Sequence, residues 1–141
     1  MEELRIVGKS IPRIDVEDKV TGLCVFGADL KLPGMLYGKV LRSPFPHAKV
    51  IHVETSHAER LFGVKALVTG KDLPALYGAA VRDQPYYCFE KVRYIGDPVA
   101  GVAATDEETA EEALDLIRVE YEELPAVFDP MEAMAPDAPL I

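Results

Sequence analysis

Three histidines at intervals of five, His47, His52 and His57, are the first side chains in this sequence that could hold a metal. On a strand an odd spacing sends neighbours to opposite faces, so His47 and His52 do not converge without a bend, and no Cys-x-x-Cys pair supports them. Gly8-Lys9-Ser10 has the ending of a phosphate-binding P-loop, but Glu3 stands where that motif needs its first glycine, and no apolar strand precedes it. The adjacent acids Glu111-Glu112 and Glu122-Glu123 are expected on solvated elements, whereas general acid–base work needs a carboxyl whose pKa is shifted inside a pocket. Ser43 precedes a proline and lacks the Gly-x-Ser-x-Gly elbow of a nucleophilic serine. Cys88 lies between Tyr87 and Phe89, a setting that keeps a thiol neutral and unreactive. The expectation is a chain with no catalytic, cofactor-binding or metal-binding residue of its own.

One constellation survives this elimination. Arg42-Ser43-Pro44-Phe45-Pro46-His47 places a guanidinium, a hydroxyl, an aromatic ring and an imidazole on a segment that two prolines keep out of regular structure. Two readings stand open. The segment is a rigid connection whose prolines limit the entropy of the unfolded chain. Alternatively it is a docking surface: Arg42 presents a planar fork of donors suited to carboxylates and carbonyls across an interface, and Phe45 is an apolar anchor. Docking predicts that Arg42 and Phe45 are partly exposed; an Arg42 buried against an acid of the same chain points to ordinary structure.

These residues need elements to hold them. The opening thirty residues, with Pro12, Gly22 and Gly27, read as an extended, partly irregular lead-in. Strands are predicted at residues 35–41 and 48–53, on either side of the Arg42–His47 segment. Ser56 with Glu59 forms a predicted capping box on a short helix that Gly63 ends. A strand at 64–69, one tight helical turn stopped by Pro74, and a long surface loop at 75–91 follow. A short strand at 92–95, a Gly96-Asp97-Pro98 turn and a strand at 99–104 buried on both faces come next. The clearest helix is 105–117, capped by Thr105 with Glu108, where Ala110, Ala113, Leu114 and Ile117 recur at i, i+3, i+4 and i+7. A strand at 118–122 with Val119 and Tyr121 on one side, a helical turn at 129–134 and a tail at 136–141 close the chain. The order of elements predicts an α+β domain, a sheet covered by two main helices, with a right-handed strand–helix–strand crossover permitted at the end.

Composition narrows the function classes. The 141 residues fit a single domain, 1–141, and 49% hydrophobic with 28% charged residues is a globular composition. The net charge of −9 is concentrated between Asp106 and Glu123, where nine acids face one base, Arg118. That excludes nucleic-acid binding by a basic patch and reads as one solvated acidic face. The longest apolar runs are too short to span a bilayer, and no basic-then-apolar leader opens the sequence, so the expected location is the cytoplasm, with Cys24 and Cys88 as ordinary buried thiols.

Several stretches taken in order resemble a known family. Arg13-Ile14-Asp15 and Asp18-Lys19-Val20-Thr21-Gly22 resemble the opening of the molybdenum-binding subunit of xanthine dehydrogenases and aldehyde oxidases. Asp29 through Gly38 continues the likeness, and Leu41-Arg42-Ser43-Pro44-Phe45-Pro46-His47-Ala48-Lys49-Val50 is similar to the family's Arg-Ser-Pro-x-x-His-Ala segment. Phe62-Gly63-Val64, Thr69-Gly70-Lys71-Asp72-Leu73-Pro74, Lys91-Val92-Arg93-Tyr94-Ile95-Gly96-Asp97-Pro98-Val99-Ala100 and Ile117 through Pro125 complete a likeness that covers residues 8–135. The resemblance implies the α/β hammerhead fold, here as part of a longer subunit. It implies partner domains that cradle a molybdopterin cofactor and hydroxylate a purine, aldehyde or N-heterocycle with oxygen from water, and iron–sulfur and FAD-bearing subunits or domains that carry the electrons away. The family's cofactor loops and catalytic glutamate lie beyond the stretch matched here, and Gln84 is the one glutamine present, so no cofactor residue carries over. Asp97 stands where relatives often carry Gln or Glu, and it joins Arg42, Ser43, Phe45 and His47 as a candidate docking residue. The reading is a structural and assembly domain of a molybdenum hydroxylase; the alternative is a free-standing hammerhead binding module without enzymatic activity.

Overall fold

The computed structural model describes residues 5–139, and the chain divides into two compact units, Met1–Pro33 and Gly34–Ile141. The first four residues of the predicted lead-in and the last two of the predicted tail lie outside the described residues.

In the first unit the expected irregular lead-in contains a helix, α1 (Val16–Thr21), and a 3-10 turn at Gly27–Asp29. Asp15 precedes α1 and pairs with Lys19 one turn on and with Arg13 before it. Those two partners, Lys19 first, hold the Asp15 carboxyl below the usual carboxylate range. The helix buries none of its residues, so no apolar stripe announces it in the sequence.

The second unit holds β1 (Tyr37–Arg42), β2 (Ala48–Glu54), α2 (Ser56–Glu59), β3 (Val64–Thr69), β4 (Leu76–Tyr77), β5 (Gln84–Pro85), β6 (Lys91–Val92), β7 (Pro98–Ala104), α3 (Glu107–Leu116), β8 (Arg118–Glu123) and α4 (Pro130–Ala133). The class is α+β, as expected, but among the described residues the strands divide into three small antiparallel sheets, β1-β7-β3, β6-β2-β8 and β4-β5. The permitted β7–α3–β8 crossover therefore does not return to its own sheet. Both edges of β7 are already taken, by β1 and β3, so the chain leaving α3 pairs with β2 instead. Strand β7 is buried along nearly its whole length, which its unbroken run of small apolar residues requires.

Helix α3 lies over the first sheet. Ala110, Ala113 and Ile117 are buried and Leu114 is half-buried, while the acids of the opposite face are exposed. Its cap is Asp106, not Thr105: Asp106 Oδ1 accepts from the Thr109 N–H at 2.8 Å. An aspartate is the better cap because its charge also meets the positive end of the helix dipole. The same one-residue slip occurs at α2, where Thr55 stands at the cap and donates its hydroxyl to Glu59 (2.6 Å), while the Ser56 N–H donates to Glu54. Gly63 takes the left-handed conformation expected of it (φ 101°). The predicted loop 75–91 is partly ordered by the β4–β5 hairpin, across which Tyr77 and Tyr86 stack at 4.8 Å. Its later part is interior: Cys88 is buried, and its N–H donates to Pro98 O at 2.7 Å. Cys24 is only partly buried, unlike Cys88.

Two apolar clusters result. One gathers Ala58, Ala100, Val102, Ala113 and Ile117 between the first sheet and its helices; the other gathers Ala48, Cys88, Val92 and Val99 with Phe45 and Tyr121 around the second sheet.

Candidate functional site

The segment between β1 and β2 is built by hydrogen bonds rather than by a sheet ladder. The pairing of β1 with β7 slips between Leu41 and Arg42. From there Ser43 N–H donates to Asp97 O (2.9 Å) and Gly96 N–H to Ser43 O (2.8 Å), tying the segment to the loop before β7. Ser43 is buried, and its hydroxyl accepts from the Phe45 N–H (3.0 Å) and lies 3.1 Å from the Phe45 carbonyl. The side chain thus replaces ladder partners that Pro44 and Pro46 deny the backbone.

Arg42, Ser43 and Asp97 come together; Phe45 and His47 look elsewhere. Arg42 is exposed and Nη1 donates to Gly96 O at 2.9 Å, not to an acid. Phe45 is half-buried, its ring 5.1 Å from that of Tyr121 at 56°. Asp97 is buried and accepts the Arg93 N–H at 2.9 Å. This bond ends β6 at Val92, three residues before the predicted end of that strand. Burial pushes the Cys88 thiol up to about 12, with the neighbouring Asp97 carboxylate adding to the effect. The thiol is therefore held neutral and unreactive.

His47 is 6% exposed, and its Nδ1 lies 2.7 Å from Pro125 O. A carbonyl oxygen only accepts, so Nδ1 carries a hydrogen and Nε2 of the neutral ring is an acceptor. That Nε2 is buried and has no hydrogen-bond partner among the described residues. Leaving such a group unsatisfied costs about 1–3 kcal/mol. His52 is exposed near Glu54, and His57 lies on α2, so the three histidines do not converge.

Next to His47 is a cleft of about 360 Å³, lined by Pro46, Arg93, Tyr94, Ile95, Val127 and Phe128 among others, with Pro139 also on its wall. Tyr94, Ile95 and Phe128 are more than half exposed. Sequence reasoning misses this wall because Tyr94 and Ile95 fall inside the strand predicted at 92–95. The available signal is their position beside the Gly96-Asp97-Pro98 turn, where a ladder has to stop.

The family described as "Aldehyde oxidase and xanthine dehydrogenase, a/b hammerhead domain" matches residues 21–125, and this chain belongs to that family. It is 52% identical over 128 residues to a probable xanthine dehydrogenase subunit of Bacillus subtilis (strain 168), covering 89% of this chain and 17% of that one. It is 37% identical over 142 residues to the "Nicotinate dehydrogenase large molybdopterin subunit" of Eubacterium barkeri, covering 99% of this chain and 33% of the relative. Among solved structures, a Cu,Mo-CO dehydrogenase matches with a TM-score of 0.88 at 38% identity, over 94% of this chain and 17% of the other. The likeness confirms the hammerhead fold, and the chain spans only a third or less of each of these three proteins. No helix among the described residues is long and apolar enough to cross a membrane.

Proposed function

We propose that residues 1–141 act as one hammerhead domain of a longer molybdenum hydroxylase subunit, with a structural and assembly role and no chemistry of their own. The observation that carries this reading is the coverage: nearly all of this chain matches a minor part of much longer enzymes. The same observation favours the domain over a free-standing binding module. In this reading the complete enzyme is a cytoplasmic oxidoreductase that hydroxylates a purine, aldehyde or N-heterocycle. Its partner domains hold molybdopterin, and iron–sulfur and FAD-bearing subunits or domains take the electrons. The described residues of this chain offer no ligand set for an iron–sulfur cluster. Among the described residues no three His, Cys, Asp or Glu side chains gather into a metal-binding set. The two cysteines fall short of a four-thiolate cluster, and Cys88 is buried and protonated. Arg42, Ser43, Phe45, His47 and Asp97 are assigned to docking and its support: Arg42 at the surface, Ser43 and Asp97 bracing it from behind, Phe45 packed on Tyr121, and His47 lining the cleft. The test is to read the gene past Ile141 and purify its product. A reading frame continuing into molybdopterin-binding domains, or stable co-purification with a subunit that carries them, is the expected result. A chain that ends at Ile141 and purifies alone from cells containing such subunits overturns the proposal.

A further inference from the structure

We infer that the cleft beside His47 receives an apolar segment of the remaining polypeptide of the same subunit, and that this segment brings an N–H or O–H donor to His47 Nε2. The inference rests on the domain reading above. Its first ground is chemical. Among the described residues His47 is the one buried member of the cleft's lining, its tautomer is fixed by Pro125 O, and its other nitrogen is an acceptor without a partner. Buried polar groups in folded proteins are almost always satisfied, and one left open beside a cleft points to a partner that completes it.

The second ground is the surface. Among the described residues the lining carries, apart from His47 and Arg93, no charged or titratable group other than the Tyr94 phenol, and Tyr94, Ile95 and Phe128 stand 56%, 63% and 77% exposed. The acidic face of the molecule lies on α3 instead. An apolar wall with one deep acceptor suits a segment with apolar side chains and a single placed donor; a segment of several charges would lose hydration there without compensation. The third ground is continuity. Pro139 is on the cleft wall, so in a subunit of the relatives' length the cleft is close along the chain to the polypeptide that would fill it. A tethered segment binds at a high effective concentration.

The test compares amide hydrogen exchange in the 141-residue chain and in the complete subunit. Residues 93–96 and 124–128 are expected to exchange at least about tenfold more slowly in the complete subunit. Ile95→Asp or Phe128→Asp should abolish that added protection. His47→Asn, whose amide can reach Pro125 O as Nδ1 does but offers nothing at the Nε2 position, should reduce it. His47→Gln, which can place an oxygen near that position, should recover part of it. Should the two His47 variants behave alike, the donor to Nε2 is disproved. Added protection confined to Arg42 and its neighbours disproves the cleft as the receptor while leaving the domain reading in place. Protection that grows with protein concentration assigns the cleft to a second copy and overturns the inference. No added protection anywhere in the chain removes both this inference and the domain reading.

Discussion

The α3–β7 layer and the region around His47 belong to the same unit, yet they are stabilised in different ways. In the first, Ala58, Ala100, Val102, Ala113 and Ile117 are buried against one another, and the backbone is satisfied by helix and ladder bonds. In the second, the backbone relies on isolated bonds outside any ladder, some between backbone groups and some to the side chains of Ser43 and Asp97, while large apolar residues stay in solvent and a buried nitrogen lacks a partner among the described residues. The first region is complete within this chain. The second has the composition of an interface: an exposed apolar wall and a buried polar acceptor.

The largest expected effect comes from placing the same charge in both regions. Val102→Asp puts an unpaired carboxylate into the buried centre of β7 and should cost more than about 4 kcal/mol, enough to abolish cooperative unfolding in many domains of this size. Ile95→Asp sits on a side chain that is mostly exposed and should stay within about 0.5 kcal/mol. Urea titrations of the two variants break the comparison if Ile95→Asp is also severe, because the cleft wall is then part of the core.

Asp97→Ala ranks next. It strips the acceptor from the Arg93 N–H and should cost about 2 kcal/mol. It also removes one of the causes that raise the Cys88 thiol, so that group should titrate lower than about 12 while burial, the larger cause, keeps it above the ordinary range. Thiolate absorbance against pH checks the second part. An unchanged thiol with a large loss of stability would mean that Asp97 acts only through the turn.

How much of this is legible in the sequence follows the same division. The α3 face, strand β3 and the burial of β7 are readable because periodicity and apolar runs report directly on packing. The caps slip by one residue because Thr105 and Asp106, or Thr55 and Ser56, are adjacent residues that are all of capping type, and backbone geometry fixes which of the two stands at the cap. Helix α1 escapes sequence reasoning because it buries nothing. The split into three sheets escapes it too, because strand pairing is decided by which edges are free, and that is a long-range property. Of the docking candidates, Arg42 is readable as an exposed donor, but Phe45 leans on Tyr121, far along the chain, and the Tyr94–Ile95 wall is hidden inside a predicted strand.

A smaller effect is expected from acid. Glu54 is held down to about 2, first by the Ser56 hydroxyl and then by the Ser56 N–H at 2.8 Å, with His52 adding a little. The folded pKa lies below the unfolded one, so this contribution is present above the unfolded value of about 4.5 and is lost as pH falls from there toward 2. Asp15, Asp72 and Asp106 are lowered as well and steepen the same fall. Glu54→Gln should therefore flatten the decline of the melting midpoint between about pH 4.5 and 2 and change little near neutral pH beyond a constant offset. A decline as steep as in the unaltered chain assigns acid sensitivity to the other carboxylates.

The smallest effect is expected on the solvated side of α3, where many charges tempt one to count ion pairs. Lys39 Nζ is 2.6 Å from Glu107 and 2.9 Å from Glu111, and these two acids, Glu107 first, raise the Lys39 pKa. Both carboxylates are about 60% exposed, so water and salt screen the pairs, and ordering the long side chains offsets most of what remains. Removing Glu111 leaves Glu107 on the same ammonium, and it also relieves repulsion among the crowded acids of this face. Glu111→Ala should therefore move the melting midpoint by no more than about 2 °C, and less at high salt. Leu114→Ala, one turn away on the packed side, removes apolar contact with the first cluster and should lower the midpoint several times as far. Equal shifts in the two variants, measured by thermal melts at low and at high salt, would reverse the faces of α3, and with them the claim that this layer is complete without a partner.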